Sequence, residues 1–138
     1  MSQNNQKKNY VLDDKALISF LLGESSASYL ISLFKEAETG KINVYLPGYC
    51  CGTIYNWAQK NGYRLIKIHE ILHSLPINIF FTFDQEFIGK VIDFNEFHSE
   101  FSFGEAILLT LARDKSATIV TGDKNLKFDD PLISISWV

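Results

Sequence analysis

A chain of 138 residues, 46% apolar and 21% charged, is long enough to bury one core, too short for two, and too weakly charged to stay disordered. Its net charge of −3 and pI near 5.5 argue against a module that binds nucleic acid by neutralising phosphate with its own cations. They are compatible with an enzyme that meets phosphate through metal ions held by carboxylates.

In chain order, residues 1–8 read as a flexible tail and 9–138 as a single domain. The polar start carries Lys7 and Lys8 but no apolar stretch or small-residue cleavage site, so no secretory leader is expected and the cytoplasm is the default location. The longest apolar run, Ala16 to Leu22, includes Ser19 and falls far short of the ~18 residues that span a bilayer, so no membrane association is expected. Asn9 to Asp13 predicts a strand ending in acid. Lys15 to Leu22 predicts a helix with Ala16, Leu17, Phe20 and Leu21 at helical spacing, stopped by Gly23. Ser25 to Glu38 repeats the pattern and ends before Gly40.

Ile42 to Leu46 predicts a second strand, and Tyr49 to Gln59 a helix closed by Asn61-Gly62. A short strand is expected at Leu65 to Ile68 and a longer one at Ile77 to Phe83, rich in aromatic and β-branched residues. Gln85 to Asp93 predicts a helix. Ser102 to Asp114 predicts another, apolar around so much of its circumference that it must be packed on two sides. Ala117 to Thr121 and Leu132 to Val138 are the last strands. Strands separated by helix-length segments make βαβ units, hence an α/β fold whose mainly parallel sheet is covered on both faces. Ligands in such sheets bind outside the carboxyl ends of the strands, where strand order reverses.

Three acids fall where that rule points: Asp13 with Asp14 after the first strand, Asp123 after ATIVTG, and Glu105 in the first turn of the two-sided helix. Clustered carboxylates repel one another and cost desolvation, so a cluster usually holds a divalent cation. Hard oxygen ligands suit Mg²⁺ or Mn²⁺, which activate water and offset charge in phosphodiester displacement. Each acid also has a purely structural reading. Ser102-Phe103-Gly104-Glu105 is a capping box, Asp123 suits a turn, and Asp13 or Asp14 suits a helix N-cap.

VLDDKALISFLLGE at 11–24 resembles the opening of PIN domains, where a strand ends in Asp and runs into a short apolar helix. FGEAILLTLARDKSATIVTGDKNL at 103–126 is similar to their second signature, an acid-Ala helix followed by an apolar strand ending Thr-x-Asp. The two blocks stand in the family's order and at its distance, so the resemblance covers nearly the whole chain. It implies a three-layer α/β/α sandwich and a Mg²⁺- or Mn²⁺-dependent endoribonuclease acting on RNA. Many small prokaryotic members are toxins of the VapC kind, so it also implies an antitoxin protein and a homodimer. Carried over residue by residue, Asp13, Glu105 and Asp123 match the metal-binding acids and Thr121 the hydroxyl residue before the last. Most members have Asp at the Glu105 position, and some carry Gly-Glu-Ala as here.

Two positions depart from the family pattern. Its glutamate, about six residues past a Pro or Ser on the helix after the second strand, falls on Thr53 counted from Pro47, and no acid lies between Pro47 and Gln59. The further acid two residues after Asp123 is Asn125. Less negative charge means weaker metal binding, and the alternative reading is a catalytically inactive PIN-like module that binds protein or RNA. A phosphoacceptor receiver domain would need its acceptor aspartate after a middle strand, where only Asp84 is offered, and LDDKA lacks the Asp-x-Asp of haloacid-dehalogenase-type phosphatases.

Among the remaining residues, His69 and His73 at i, i+4 suit one helix face but have no third ligand nearby. Cys50 and Cys51 are expected as buried small apolar residues. The crowded phenylalanines between Phe80 and Phe103 are expected mostly in the core, and Arg113, Lys115, Lys124 and Lys127 around the acidic rim.

Overall fold

The computed structural model describes residues 7–25 and 27–138. In chain order the elements are β1 (Lys8–Leu12), α1 (Asp14–Leu21), α2 (Ala27–Glu38), β2 (Ile42–Pro47), α3 (Gly48–Lys60), α4 (Leu65–Ser74), β3 (Asn78–Phe80), α5 (Gln85–Phe97), α6 (Phe103–Lys115), β4 (Thr118–Thr121) and β5 (Ser134–Trp137). The strands form one parallel sheet in the order β3-β2-β1-β4-β5.

Because successive strand residues face opposite sides, neighbouring core positions separate into two layers. Leu12 and Val120 join α1 to α4 in one cluster with Leu17, Leu30, Leu46, Ile54 and Leu72. Val11 and Ile119, one residue earlier on the same strands, join α5 and α6 in the other with Phe87, Val91, Leu109 and Leu111. The outcome is the three-layer α/β/α sandwich expected. β1 lies at its centre, and Val11 and Leu12 are both fully buried, as a strand covered on two faces requires. No helix among the described residues is long and apolar enough to cross a membrane.

Every residue of α6 from Ala106 to Ala112 is buried, matching the two-sided packing expected of it. Ser102 caps its start, and it ends at Ser116 in the left-handed conformation (φ 49°).

Several expectations need correction. Leu65 to Ile68 is not a strand but the start of α4. Four residues of LIKI fit either period, and the helix shows only when Ile68 and Leu72, four apart and both buried, are taken together. The strand expected over Ile77 to Phe83 shrinks to Asn78–Phe80 at the sheet edge, where it pairs with β2 alone among the described strands. Phe80 and Phe83 pack as tilted rings against Phe87 of α5, and of the phenylalanines expected mostly in the core only Phe87 and Phe94 are buried, Phe81, Phe83, Phe97 and Phe103 being exposed. Helix α5 runs on to Phe97, and Asp84 is its N-cap, accepting from the Phe87 N–H at 2.9 Å. The last strand is confined to Ser134–Trp137. The tail assigned to residues 1–8 loses Lys8 to β1, and residues 1–6 lie outside the described residues, as does residue 26 of the second predicted helix.

The start of α1 rests against the residue that follows β4. A Cβ at Gly122 would stand 2.8 Å from the carbonyl carbon of Lys15 and 2.9 Å from its oxygen, both backbone atoms. Gly122→Ala is therefore expected to destabilise the protein by about 1–3 kcal/mol, as overpacking does. Gly52→Ala, where no neighbouring atom lies within 4 Å on helix α3, is expected to be neutral or to stabilise by up to about 1 kcal/mol. Urea unfolding of both variants measures the contrast.

Candidate active site

Strand order reverses between β1 and β4: β2 and β3 follow on one side, β5 on the other. The chain leaves β1 through Asp13, whose backbone N–H still donates to the Val120 carbonyl at 3.2 Å, so pairing with β4 carries on to the edge of the site. The Asp13 side chain is 5% exposed. Its Oδ1 accepts from the N–H of Ala16 at 2.8 Å and of Gly122 at 3.2 Å, and its Oδ2 accepts from the hydroxyl of Thr121. Thr121, fully buried, in turn accepts from the Asp123 N–H at 2.9 Å. One hydrogen-bonded chain thus runs from the Asp123 backbone through Thr121 to Asp13.

Asp123 turns the chain after β4, its Oδ1 accepting from the Asn125 N–H at 3.0 Å, while Oδ2 lies 3.6 Å from the Lys15 ammonium. At the head of α6 the capping box is complete: Ser102 N–H donates to Glu105 Oε1 at 2.8 Å and Glu105 N–H to Ser102 Oγ at 3.1 Å. Each acid therefore performs the structural task its sequence context allows. The same three side chains, with Asp14, Lys15 and Tyr49, also line one cleft of about 300 Å³.

Hard carboxylate oxygens gathered on one cleft suit Mg²⁺ or Mn²⁺, which keep several waters and need few protein ligands. The fit is one of donor chemistry rather than of a finished cage. Among the described residues, no three of Asp, Glu, His or Cys converge closely enough to form a ligand set.

Burial, the largest influence, raises the Asp13 carboxyl above its ordinary range; the bonds from Thr121, Ala16 and Gly122 pull the other way, and the Asp14 charge adds to the rise. Burial also pushes the Tyr49 phenol and the Cys50 thiol up, with the neighbouring acids contributing. Cys50 is buried, as expected of it, and the upward shift disfavours its thiolate. Cys51 is only half-buried.

Two cleft residues carry no signal that the sequence reading used. Lys15 reads in the sequence only as the opening of a helix, and Tyr49 lies one turn before Thr53, the position to which the family pattern points. Thr53 does not line the cleft; its hydroxyl donates to the Cys50 carbonyl at 2.9 Å. Because α3 begins at Gly48, directly after β2, its first turn lies at the carboxyl edge and carries Tyr49 there, and residue 53 is a turn farther along. Asn125 contributes a backbone N–H to Asp123, and its side chain does not line the cleft.

The basic residues expected around the rim divide. Lys124 flanks it, lining a depression with Lys15 and Gly122. Lys115 lies at the opposite edge of the sheet, because α6 runs away from the cleft: its carbonyl accepts from Asn9 at the start of β1 and its ammonium sits 5.0 Å from the Tyr45 ring centre. Arg113 pairs with Asp130 at 2.7 Å and lies over the rings of Phe94 and Phe128. His98 packs among those rings and Phe101, away from the acids. His69 and His73 touch on α4, their ring centres 4.1 Å apart. A second cavity, about 340 Å³ between α5 and α6, is bordered by the Lys90–Asp114 ion pair and by Phe94 and Phe97.

No family model matches the chain, and no curated protein matches it. Solved structures do. A chain of a toxin–antitoxin complex from Klebsiella pneumoniae superposes with a TM-score of 0.70 over 90% of this chain and 94% of its own, at 14% identity. A chain of VapBC2 from Rickettsia felis, crystallised bound to a DNA fragment from their promoter, gives 0.73 over 94% and 98%, at 12% identity. At such identities the likeness is one of fold. The five-stranded parallel sheet flanked by helices is thus similar in fold to chains of these toxin–antitoxin complexes.

An acid held above its ordinary range binds its proton more tightly in the native state than in the unfolded one. Stability therefore falls as pH climbs from about 3.8 through the raised value. Asp13→Asn keeps an oxygen for the two backbone N–H groups and removes the buried charge. In metal-free protein it is expected to raise the melting temperature at pH 7.5 by about 2–5 °C, a gain on the order of 1 kcal/mol. The gain should shrink toward pH 4. Melting curves in EDTA at both pH values check this, and an unchanged or lower midpoint at pH 7.5 would mean that the carboxylate's hydrogen bonds outweigh its burial.

Proposed function

We propose that this protein is an endoribonuclease that hydrolyses RNA phosphodiesters with Mg²⁺ or Mn²⁺, acting as the toxin of a toxin–antitoxin pair. The observation that carries the reading is the meeting of Asp13, Glu105 and Asp123 on one cleft at the reversal of strand order, in a fold shared with toxin–antitoxin complexes.

In this reading Asp13 and Asp123 hold the cation from two adjacent strand ends, and Glu105 faces them from the head of α6. Thr121 is a positioning residue: its hydroxyl donates to the Asp13 carboxylate and accepts from the Asp123 backbone N–H, tying the Asp13 side chain to the turn that carries Asp123. When bound, the metal supplies charge to offset that developing on the phosphoryl oxygens and acidifies a water. The antitoxin partner and a homodimer belong to the same proposal.

A second reading is favoured by one observation. Helix α3 brings Tyr49 and no acid to the cleft, the family's acid position falls on Thr53 outside it, and the Lys15 ammonium lies 3.6 Å from Asp123. A PIN-like module that has lost catalysis and binds protein or RNA would look this way.

Calorimetric titration of Mn²⁺ separates the two. The nuclease reading expects binding that Asp13→Asn and Asp123→Asn each abolish, together with cleavage of single-stranded RNA that EDTA stops and both substitutions lower by about 10²-fold or more. Absence of binding at millimolar Mn²⁺, with intact RNA after prolonged incubation, leaves the binding module.

A further inference from the structure

Asp123 has one oxygen to spare. Its Oδ1 is engaged by the Asn125 N–H, so a cation entering the cleft meets Oδ2, the atom that lies 3.6 Å from Lys15 Nζ. Lys15 cannot withdraw by moving its backbone. It is the second residue of α1, and Gly122 abuts its carbonyl so closely that a single methyl group would not fit between them. Its side chain is different: it is 59% exposed, and at that separation the pair is a loose surface ion pair of small net value. The ammonium can therefore swing away from Asp123 at little cost while its root stays fixed beside the acids. On its outer side it borders the depression shared with Gly122 and Lys124.

We propose that Lys15 is a tethered competitor for the metal, with its ammonium and a divalent cation as alternative occupants of Asp123 Oδ2. The inference rests on the metal-dependent reading above and deepens it. Lys15 stabilises the cation-free cleft by balancing Asp123, and its positive charge opposes a second cation a few ångströms away. Displaced, it stands at the mouth of the cleft beside Lys124, placed to meet an anionic phosphate. The cleft would then pass from an internal ion pair to a metal-and-phosphate arrangement without a change of backbone.

The test is the Mn²⁺ affinity of the whole protein carrying Lys15→Gln, which keeps most of the side-chain length and removes the charge. Lys15→Arg, Lys124→Ala and Asp123→Asn complete the set, each checked for folding by thermal melting. Lys15→Gln is expected to bind Mn²⁺ about five-fold or more tightly than wild type, from the removal of one nearby positive charge. Lys15→Arg should stay weak, and Lys124→Ala, which does not line the cleft, should stay within about two-fold of wild type. Equal affinity in wild type and Lys15→Gln, with binding still lost in Asp123→Asn, overturns the competition and leaves the metal site standing. An equal gain in Lys124→Ala also overturns it, because the effect would then be one of net charge. No binding in wild type or in Lys15→Gln sinks both this inference and the reading on which it rests.

Discussion

A single buried carboxylate ties together the elements that meet at the site. Asp13 ends β1, caps α1 through the Ala16 N–H, and receives the Gly122 N–H and the Thr121 hydroxyl from the end of β4. Taking such a group out of water is costly, and only full hydrogen bonding makes it tolerable. Those bonds are available only where β1 and β4 lie side by side in register, so the central pairing of the sheet and the position of the acid depend on each other. Gly122 belongs to the same arrangement, since its missing side chain lets α1 start against the strand end.

The cleft shows how a structural and a chemical role can reside in one side chain. Asp13 is an N-cap, Glu105 closes a capping box and Asp123 makes a turn. Each role uses only part of a carboxylate's capacity, which is about four lone-pair sites. Oxygen faces left over on three different elements can therefore share a cleft without any of the elements losing its cap. That economy also explains why three acids are tolerated on one cleft: each accepts from at least one backbone N–H, and one is paired with Lys15.

Much of the architecture was legible because it rests on patterns that repeat. The alternation that sends Val11 and Leu12 to opposite layers, and the uninterrupted apolar run of α6, are properties of the residues themselves. The strand-end rule places Asp13, Asp123 and Glu105 at one rim, and Thr121 enters only through the PIN-domain resemblance. What stayed hidden depended on phase or on partners. LIKI at 65–68 is too short to choose between periods without Leu72, and the aromatic run near β3 reads as strand although its rings serve the packing of α5. Tyr49 and Lys15 escaped because neither residue type announces chemistry. Their importance comes from where α3 and α1 begin relative to the sheet edge, a matter of one helical turn. Lys115, at the far end of a helix whose head is in the cleft, was misplaced by the same kind of distance.

Helix α6 has a further consequence for the cleft it borders. With seven successive residues buried between the sheet and α5, it has no free face along that stretch on which to slide or tilt. Glu105 at its head is thus mounted on the stiffest part of the molecule. The facing acid, Asp123, is half-buried, its N–H held by Thr121, and beside it only the Lys15 side chain is largely solvated. The two sides of the cleft are therefore unequal, one ending in a locked helix head and the other in a swinging ammonium. A ligand that enters meets give in that one side chain, while the backbone on either side stays in place.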